Sequence, residues 1–248
     1  MKVTVERAQL LKSLGHVHRV VERRNTIPIL GNVLVRGDRS KLSLKATDLD
    51  LEVIETLAAE IGPAGATTVP AHMFYEIVRK LPEGSQIVLE ASGDRAVLAI
   101  RAGRSRFTLG DVVLTSKLID GTFPDYARVI PVGNDKELSV DKKEFEAAVD
   151  RVSTVSSERG RAVKLSLNAG RLVLSVTNPD SGSATEEIEV EYASDPLDIG
   201  FNSRYLLDIA AQIEGEAAVL MLADPGSPTL IQDKEAKGAL YVLMPMRV

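Results

Sequence analysis

Hydrophobic and polar positions follow the same order four times along this chain. Each time, an alternating segment predicts a short strand, apolar residues at helical spacing then predict an amphipathic helix, and two or three further strands follow. The predicted helices span residues 7–22, 71–81, 142–156 and 203–213. The predicted strands span residues 3–5, 32–35, 41–46, 51–57, 67–69, 86–90, 96–101, 106–109, 138–140, 163–167, 172–176, 186–191, 197–199, 218–222, 229–232 and 240–244. A repeated βαβββ module therefore accounts for most of the chain.

The repeat predicts an α+β fold with two domains. Asp141 and Asn202 stand directly before two of the predicted helices, and their side-chain oxygens are suited to cap them. One module leaves half of its sheet and one helix face uncovered, so two modules are expected to pair into a domain. We therefore predict domains at residues 1–109 and 136–248, with a residual strand and a linker at 110–135. A single α+β domain with fortuitous periodicity is the alternative.

The first predicted helix has two distinct faces. Its apolar face is formed by residues at helical spacing, namely Leu10, Leu14, Val17 and Val21. Its other face has a row of cationic or titratable residues with the same 4-3-4 spacing, namely Lys12, His16, Arg19 and Arg23, and Arg24 follows the helix. Regularly spaced cations suit the phosphates of DNA, because each neutralised phosphate releases counterions and adds sequence-independent affinity. The alternative interpretation is a helix face that is simply solvated.

The other helices limit where such a contact can lie. The second helix offers His72, Arg79 and Lys80, whereas the outer positions of the third and fourth helices mix acids and bases. DNA contact is therefore expected mainly in the N-terminal half of the chain. The sequence has only five Phe and five Tyr residues and no helix-turn-helix or zinc-finger pattern, so the expected contact is indifferent to base sequence and sensitive to salt.

Composition excludes several classes of protein. The 248 residues have a formal net charge of −5 and no cysteine, which excludes disulfides, thiolate zinc sites and a cysteine nucleophile. No signal-peptide pattern and no apolar run of the ~20 residues needed for a membrane helix is present, and a cytoplasmic protein is expected.

Catalytic patterns are also missing from the sequence. His16 and His18 point to different sides of one helix, and no metalloprotease, hydrolase or phosphate-loop motif occurs. The Asp48 and Asp50 pair is interpreted as a turn between strands rather than as a metal site. We predict a non-catalytic protein with no cofactor and no metal. An enzyme that acts on nucleotides or carbohydrates is the least favoured alternative.

Several long segments resemble the bacterial DNA polymerase III beta subunit family. The segments are KVTVERAQLLKSLGHVHRVVERRNTIPILGNVLV, KATDLDLEV, TVPAHMFYEIVRKLPEG, RAGRSRFTL, LTSKLIDGTFPDYARVIP, GFNSRYLLDI and YVLMPMRV. Together they cover nearly the whole chain. The resemblance implies a DNA-clamp fold, with helices on the inner face of a ring and sheets outside. It also implies the function of a sliding clamp, which encircles duplex DNA and tethers the replicative polymerase.

The chain differs from the family in one large respect. Members of the family have three such domains, and roughly 120 residues of the middle domain should follow Leu109. Instead, RSRFTL, which resembles the last strand of the first domain, is followed by GDVVLTSKLIDG, which resembles the last strand of the second. The family ring is a dimer with six domains, so a two-domain chain could restore six domains as a trimer. A protein-binding scaffold that cannot encircle DNA is the alternative.

The helix pattern and the resemblance together give three sets of functional residues. In the DNA-binding set, Lys12, Arg19, Arg23 and Lys80 come from the cationic faces of the first two helices, and the resemblance implies that Arg24 and Arg79 face DNA. A pocket for short peptides of the polymerase catalytic subunit, the clamp loader and repair polymerases is implied at Pro124, Arg128, Val129, Asn202, Tyr205, Val242, Met244, Pro245, Met246 and Arg247. The subunit interface of a ring-forming homo-oligomer is implied at Ile77, Phe107, Thr154 and Val155. Because the middle domain of the family supplies the other wall of the pocket, only half of it is expected here.

Overall fold

The chain forms two compact units, Met1–Pro124 and Asp125–Val248, in a computed structural model. The structure describes residues 1–21, 26–92, 95–101, 113–117, 123–124, 130–156, 161–179, 181–236 and 238–248. Within these ranges, only the backbone is described at 92, 95–101 and 113–117. Among the described residues, no helix has the length and apolar character needed to cross a membrane.

The N-terminal unit contains two βαβββ modules. Its elements are β1 (Lys2–Glu6), α1 (Arg7–Val20), a 3-10 turn (Pro28–Gly31), β2 (Asn32–Asp38), β3 (Lys41–Thr47), β4 (Leu51–Ala58), β5 (Glu60–Ile61), β6 (Gly65–Pro70), α2 (Ala71–Lys80), β7 (Gln86–Ser92), β8 (Arg95–Arg101) and β9 (Val113–Lys117). Its strands form two antiparallel sheets, with the orders β5-β1-β7-β8-β9 and β4-β3-β2-β6.

The C-terminal unit repeats this arrangement strand for strand. Its elements are β10 (Lys136–Asp141), α3 (Lys142–Ser153), β11 (Ala162–Asn168), β12 (Arg171–Asn178), β13 (Gly182–Glu189), β14 (Glu191–Tyr192), β15 (Leu197–Asn202), α4 (Ser203–Ala210), β16 (Ala217–Leu222), β17 (Thr229–Asp233) and β18 (Ala239–Leu243). Within the unit the strand orders are β14-β10-β16-β17-β18 and β13-β12-β11-β15. The α+β fold and the βαβββ order predicted from the sequence are confirmed.

The helices pack through the apolar stripes that their spacing predicts. In the N-terminal unit, α1 packs against α2 and β4, with Leu10, Leu14 and Val17 fully buried. In the C-terminal unit, α3 packs against α4 and β13. Complete burial of one such side chain contributes about 1.5–3 kcal/mol, so these stripes supply much of the driving force for each unit.

Helix boundaries agree with the predicted caps at the start and differ at the end. Asp141 accepts a hydrogen bond from the Glu144 amide at 2.8 Å, and Asn202 accepts one from the Arg204 amide at 3.0 Å, which confirms both N-caps. However, α3 ends at Ser153 and α4 at Ala210, three residues earlier than predicted in each case. The C-cap residues Thr154 and Ala211 keep helical dihedral angles, and the chain continues in hydrogen-bonded turns up to Ser156 and Ile213.

The last described strand of the N-terminal unit lies in the segment that the sequence predicted to contain a residual strand, 110–135. Val113–Lys117 pairs with β8, from Ala99↔Val113 to Arg95↔Lys117. The predicted strand 106–109 lies outside the described residues. Because β7 occupies the other side of β8, both edges of β8 are filled over these residues. The stretch that resembles the end of the family's middle domain therefore completes the first sheet of the N-terminal unit.

A buried ion pair holds the end of the N-terminal unit in place. Lys45 is only 2% exposed, and its Nζ lies 2.8 Å from Oε1 of Glu52 and 3.4 Å from the carbonyl oxygen of Pro124. The same ammonium lies 5.5 Å from the ring centroid of Phe123, which packs in a buried cluster with Ile29 and Leu30. Burial raises the pKa of Glu52, and the nearby Lys45 only partly offsets this effect. The pair therefore determines where the chain leaves the unit.

Asp233 closes the last hairpin of the C-terminal unit with four backbone hydrogen bonds. Its two carboxylate oxygens accept from the amides of Glu214, Gly215, Glu235 and Ala236 at 2.7–3.0 Å. Burial alone would raise the pKa of Asp233, but these amide donors together outweigh it and lower the pKa below 3.8. The ionised carboxylate is therefore the form that stabilises the fold.

Replacement of Asp233 by Asn is expected to lower the free energy of unfolding at pH 7 by about 2 kcal/mol. The reason is that the side-chain NH2 group of Asn would lie against backbone amides, which are also hydrogen-bond donors. The folded-state pKa of Asp233 is below its unfolded value of 3.8, so its stabilising effect is present above that pH. The difference between wild type and Asp233→Asn should therefore shrink as the pH falls through the folded-state pKa. Urea denaturation at several pH values measures the free energy of unfolding of each variant. The control is Asp195→Asn, a change at an exposed aspartate. A constant difference across this range would contradict the assignment.

Candidate functional site

Two of the predicted DNA-binding cations lie on the outer face of α1. Lys12 and Arg19 are both exposed, whereas Leu10, Leu14 and Val17 on the opposite side are buried. Seven residues separate the two cations, which places them two helical turns, or about 10 Å, apart along the axis. Arg23 and Arg24 lie outside the described residues. The helix therefore presents cations at intervals that phosphate groups can match.

His16 does not belong to this exposed row. Its Nδ1 contacts Oε1 of Glu55 on β4, and the Glu55 side chain is only 7% exposed. The imidazole therefore faces the sheet edge, so including it in the cationic row was wrong. Helical spacing places His16 between Lys12 and Arg19, but the direction of its side chain depends on a carboxylate 39 residues away in the chain.

The cations on α2 lie at its last turn. Arg79 and Lys80 are both exposed. Nη2 of Arg79 donates to Oε2 of Glu76 at 2.7 Å, and this hydrogen bond raises the pKa of Arg79. Glu76 therefore offsets part of the positive charge at this end of the helix. Lys80 is the second cation here, at the end of a helix where positive charge also favours the helix dipole.

Hydrogen bonds and ring contacts tie α1 to α2. Arg7 at the start of α1 donates from Nη2 to the carbonyl of Arg79 at 2.8 Å and from Nε to that of Val78 at 3.1 Å. These carbonyls belong to the last turn of α2, where the regular hydrogen bonds of the helix end; that of Val78 also accepts from the amide of the C-cap residue Leu81 at 3.3 Å. The exposed cations of α2 therefore keep a defined position relative to α1.

Aromatic rings join the same helices nearer the end of α1. The His18 and Tyr75 rings stack with centroids 3.8 Å apart, and His72 meets His18 edge-on at 5.8 Å. His72 donates from Nε2 to the carbonyl of Val21 at 2.7 Å, and Nδ1 of His18 donates to that of Leu14. Burial lowers the pKa of His18, although its carbonyl contact acts in the opposite direction. His18 is therefore a neutral packing residue, and His72 packs with it rather than joining the cationic surface.

The helices of the C-terminal unit have mixed charge, as the sequence predicts. Arg204 lies 3.7 Å from Asp208 one turn along α4. On α3, Nε of Arg151 donates to Glu186 of β13 at 2.9 Å, and this contact lowers the pKa of the Glu186 carboxyl. These arginines have acidic neighbours, so the C-terminal helices offer less net positive charge than α1 does.

The C-terminal residues of the predicted peptide pocket all belong to one unit. Asn202 caps α4, Tyr205 is half-buried in its first turn, and Val242 is buried on β18. The tail that follows β18 contains Met244, Pro245, Met246 and Arg247, which are half-buried or exposed. Pro124 lies in the N-terminal unit, where its carbonyl accepts a hydrogen bond from Lys45. Arg128 and Val129 lie outside the described residues.

The tail is joined to β15 at a residue that sequence reasoning missed. The Met246 amide donates to the Gly200 carbonyl at 2.8 Å, and the two residues form an antiparallel bridge. Asn202 follows two residues after Gly200, so the bridge brings the tail beside the start of α4. A glycine inside a strand often marks the close approach of another backbone, but the predicted strand ended at Ile199, so the sequence prediction left Gly200 outside it.

Three of the four predicted interface residues lie among the described residues. Ile77 is half-buried on α2, and Phe107 lies outside the described residues. Thr154 caps the C-terminus of α3, with Oγ1 donating to the Asp150 carbonyl at 3.2 Å. Val155 is half-buried, and its carbonyl accepts from Asn178 at 3.0 Å. Within their own sheets, β9 of the N-terminal unit and β13 of the C-terminal unit are the outermost strands.

The acidic turn between β3 and β4 has a structural role. Oδ1 of Asp48 accepts from the amides of Asp50 and Leu51 at 3.1 and 2.8 Å. The carboxylate is thus used to close the turn, as the sequence interpretation held. Across the part of the chain that the structure describes, no group of three or more His, Asp or Glu residues is arranged to hold a metal ion.

Comparisons with known proteins agree with this arrangement. Residues 1–115 match the family model for the DNA polymerase III beta subunit N-terminal domain, and residues 127–247 match that for its C-terminal domain. The beta sliding clamp of Caulobacter vibrioides is 37% identical over 372 residues, with all of both chains covered. That aligned length exceeds the 248 residues of this chain by 124, about the size of one clamp domain.

Solved structures show the same likeness. A sliding clamp from Bartonella birtlesii, bound to griselimycin, is 39% identical with a TM-score of 0.55, and both chains are fully covered. The beta subunit from Thermotoga maritima, at 24% identity, has a TM-score of 0.91 over all of this chain and 66% of its own, which shows the shared fold.

Paired βαβββ modules with two helices packed on two sheets define the class of the DNA clamps. Within this class, the chain belongs to the DNA polymerase III beta subunit family, whose curated members are named beta sliding clamps.

Proposed function

We propose that this chain is a sliding clamp that encircles duplex DNA and tethers the replicative polymerase to it. The observation that carries the proposal is the retention of both the N-terminal and the C-terminal clamp domains, with similarity to beta sliding clamps along the whole chain. A clamp needs no reaction centre, so its role is non-catalytic, without cofactor or metal. We expect it to act in the cytoplasm, where bacterial chromosomes replicate.

The cations of α1 and α2 are the proposed DNA-contact residues. Lys12 and Arg19 form a regularly spaced pair on α1, and Arg79 and Lys80 extend it on α2. Arg23 and Arg24 complete the set in sequence. Contacts of this kind are made with phosphates alone, so they allow sliding and carry no preference for base sequence.

The sequence predicts clamp domains at residues 1–109 and 136–248, with a residual strand and the linker at 110–135. The family matches at residues 1–115 and 127–247 and the pairing of β9 with β8 support two domains and extend the first of them into the predicted residual strand. The proposed ring interface uses Ile77 and Phe107 on one side and Thr154 and Val155 on the other. Both sets of edge residues are retained in this chain, which supports a closed homo-oligomer.

The tethered partners are proposed to dock in the C-terminal unit. The half pocket consists of Asn202, Tyr205 and the tail residues named above, with Pro124, Arg128 and Val129 from the linker. Methionine side chains adapt to ligands of different shape, which suits a site that receives several peptides. Since the related Bartonella clamp is bound to griselimycin, we propose that the same compound binds here. The polymerase catalytic subunit, the clamp loader and repair polymerases are the expected partners.

Topological binding is the decisive test of the clamp function. The chain, loaded by its cognate clamp loader onto nicked circular DNA, is expected to stay bound during gel filtration. Cutting the circle with a restriction enzyme should release it, because a ring slides off a free end. Equal retention on circular and linear DNA, or no retention on either, would favour the protein-binding scaffold instead.

Charge reversal on α1 tests the DNA surface. The double variant Lys12→Glu, Arg19→Glu is expected to weaken DNA binding and to reduce the slope of log K against log salt by about 1.8, since each lost phosphate contact contributes about 0.9. Titrations of duplex DNA at several salt concentrations measure the slope. The matched control is Arg36→Glu, Lys41→Glu, because both cations are exposed on strands β2 and β3 and the change in net charge is the same. Equal slopes in the two variants would contradict the proposed surface.

The oligomeric state tests ring closure. Two domains per chain make six domains in a trimer, the number found in the family's ring. Light scattering at tens of micromolar is expected to give three times the chain mass of 26.8 kDa. The variant Ile77→Asp should shift this mass toward a single chain, because a charge placed at an apolar edge opposes association. A wild-type mass of one chain would refute the trimer.

A further inference from the structure

The tail of the C-terminal unit forms an additional edge on its second sheet. Gly200 lies within β15, where it pairs with Lys164 of β11 on one side. On its other side it bridges to Met246, whose amide donates to the Gly200 carbonyl at 2.8 Å. At this point β15 is therefore an inner strand, and the tail occupies the edge position.

Space, rather than backbone conformation, requires glycine here. A Cβ at position 200 would lie 2.6 Å from the carbonyl oxygen of Met246 and 2.9 Å from Cγ2 of Val248, with Cγ1 of Val248 closer still. A valine side chain can rotate, but the Met246 carbonyl belongs to the backbone that makes the bridge. Any side chain at position 200 would therefore push the tail away from β15.

We propose that Gly200 is the positioning residue of the partner-peptide pocket. Its missing side chain lets the tail pair with β15, and this pairing places Met244 and Met246 beside Asn202 and Tyr205. The inference rests on the proposed docking function, because it assigns a role within that same pocket. Gly200 itself touches no partner peptide and acts through the tail.

The segment after β18 depends on this anchor for its order. β18 ends at Leu243, and the tail beyond it, Met244 to Val248, meets β15 through the isolated bridge between Met246 and Gly200. A segment that lies outside a continuous sheet loses order unless it is tied down. An unanchored tail would have to be ordered by each incoming peptide, and the entropy lost would weaken binding. The bridge at Gly200 provides this order before a ligand arrives.

The test compares Gly200→Ala with a matched control, Gly133→Ala, in the full chain. Gly133 is an exposed glycine of the same unit with open space around its Cβ position. Gly200→Ala is expected to weaken griselimycin binding about tenfold or more. It is also expected to speed hydrogen exchange at the Met246 amide, measured by NMR without ligand. Gly133→Ala should leave both unchanged.

A shortened chain separates the tail from general damage to the sheet. Removal of Met246 to Val248 should weaken griselimycin binding at least as much as Gly200→Ala does, because the pocket residues Met246 and Arg247 are lost together with the bridge. Gly200→Ala in the shortened chain should cause no further loss, because the group that it displaces is already gone. Additive losses would show that Gly200 acts through the sheet instead, and would overturn the inference.

Failure of the inference and failure of the proposed function give different results. If the wild-type chain does not bind griselimycin, the docking part of the proposed function is contradicted. If Gly200→Ala leaves the exchange of the Met246 amide slow, the role of Gly200 is contradicted whatever the ligand does.

Discussion

Burial of an apolar helix stripe against an incomplete sheet is the interaction on which the rest of this structure depends. A single βαβββ module cannot cover its own helix, so modules occur in pairs. In the N-terminal unit, Leu10, Leu14 and Val17 face inward and determine how α1 is rotated. That rotation leaves Lys12 and Arg19 at the surface. The proposed DNA-contact surface is therefore a direct consequence of core packing.

The N-terminal unit remains complete although the family's middle domain has no counterpart in this chain. β9 pairs along β8 and fills the place that β18 has in the C-terminal unit. Just beyond it, Phe123 and Pro124 are held by the buried Lys45. Removing one partner from a buried ion pair commonly costs about 3–5 kcal/mol, so this anchor is stable as long as Glu52 is present. A strand and a linker end thus close the unit where another domain would begin.

The predicted sites differ in how well the sequence could locate them. The cations of α1 follow from helical periodicity alone, and both described members are exposed. His16 obeyed the same periodicity, but Glu55 draws it toward β4. Gly200 had no chemical signal in the sequence, since it follows the predicted strand 197–199 directly. Its significance comes from Met246 and Val248, which are more than forty residues away in the chain. The spacing of residues in the sequence predicts which face of a helix or strand a residue occupies. It does not predict which residue of a different strand will lie next to it.

By itself, the sequence determined the α+β class, the βαβββ order, both helix caps at Asp141 and Asn202, and the cationic character of α1. These depend on periodicity and on contacts within a few residues, so a single chain pattern contains them. Only the tertiary structure decided that 113–117 is the last strand of the first unit, that His16 turns to Glu55, and that the tail lies on Gly200. The physical reason is that strand partners and buried charges are selected by residues far apart in sequence, through space that only the folded chain defines.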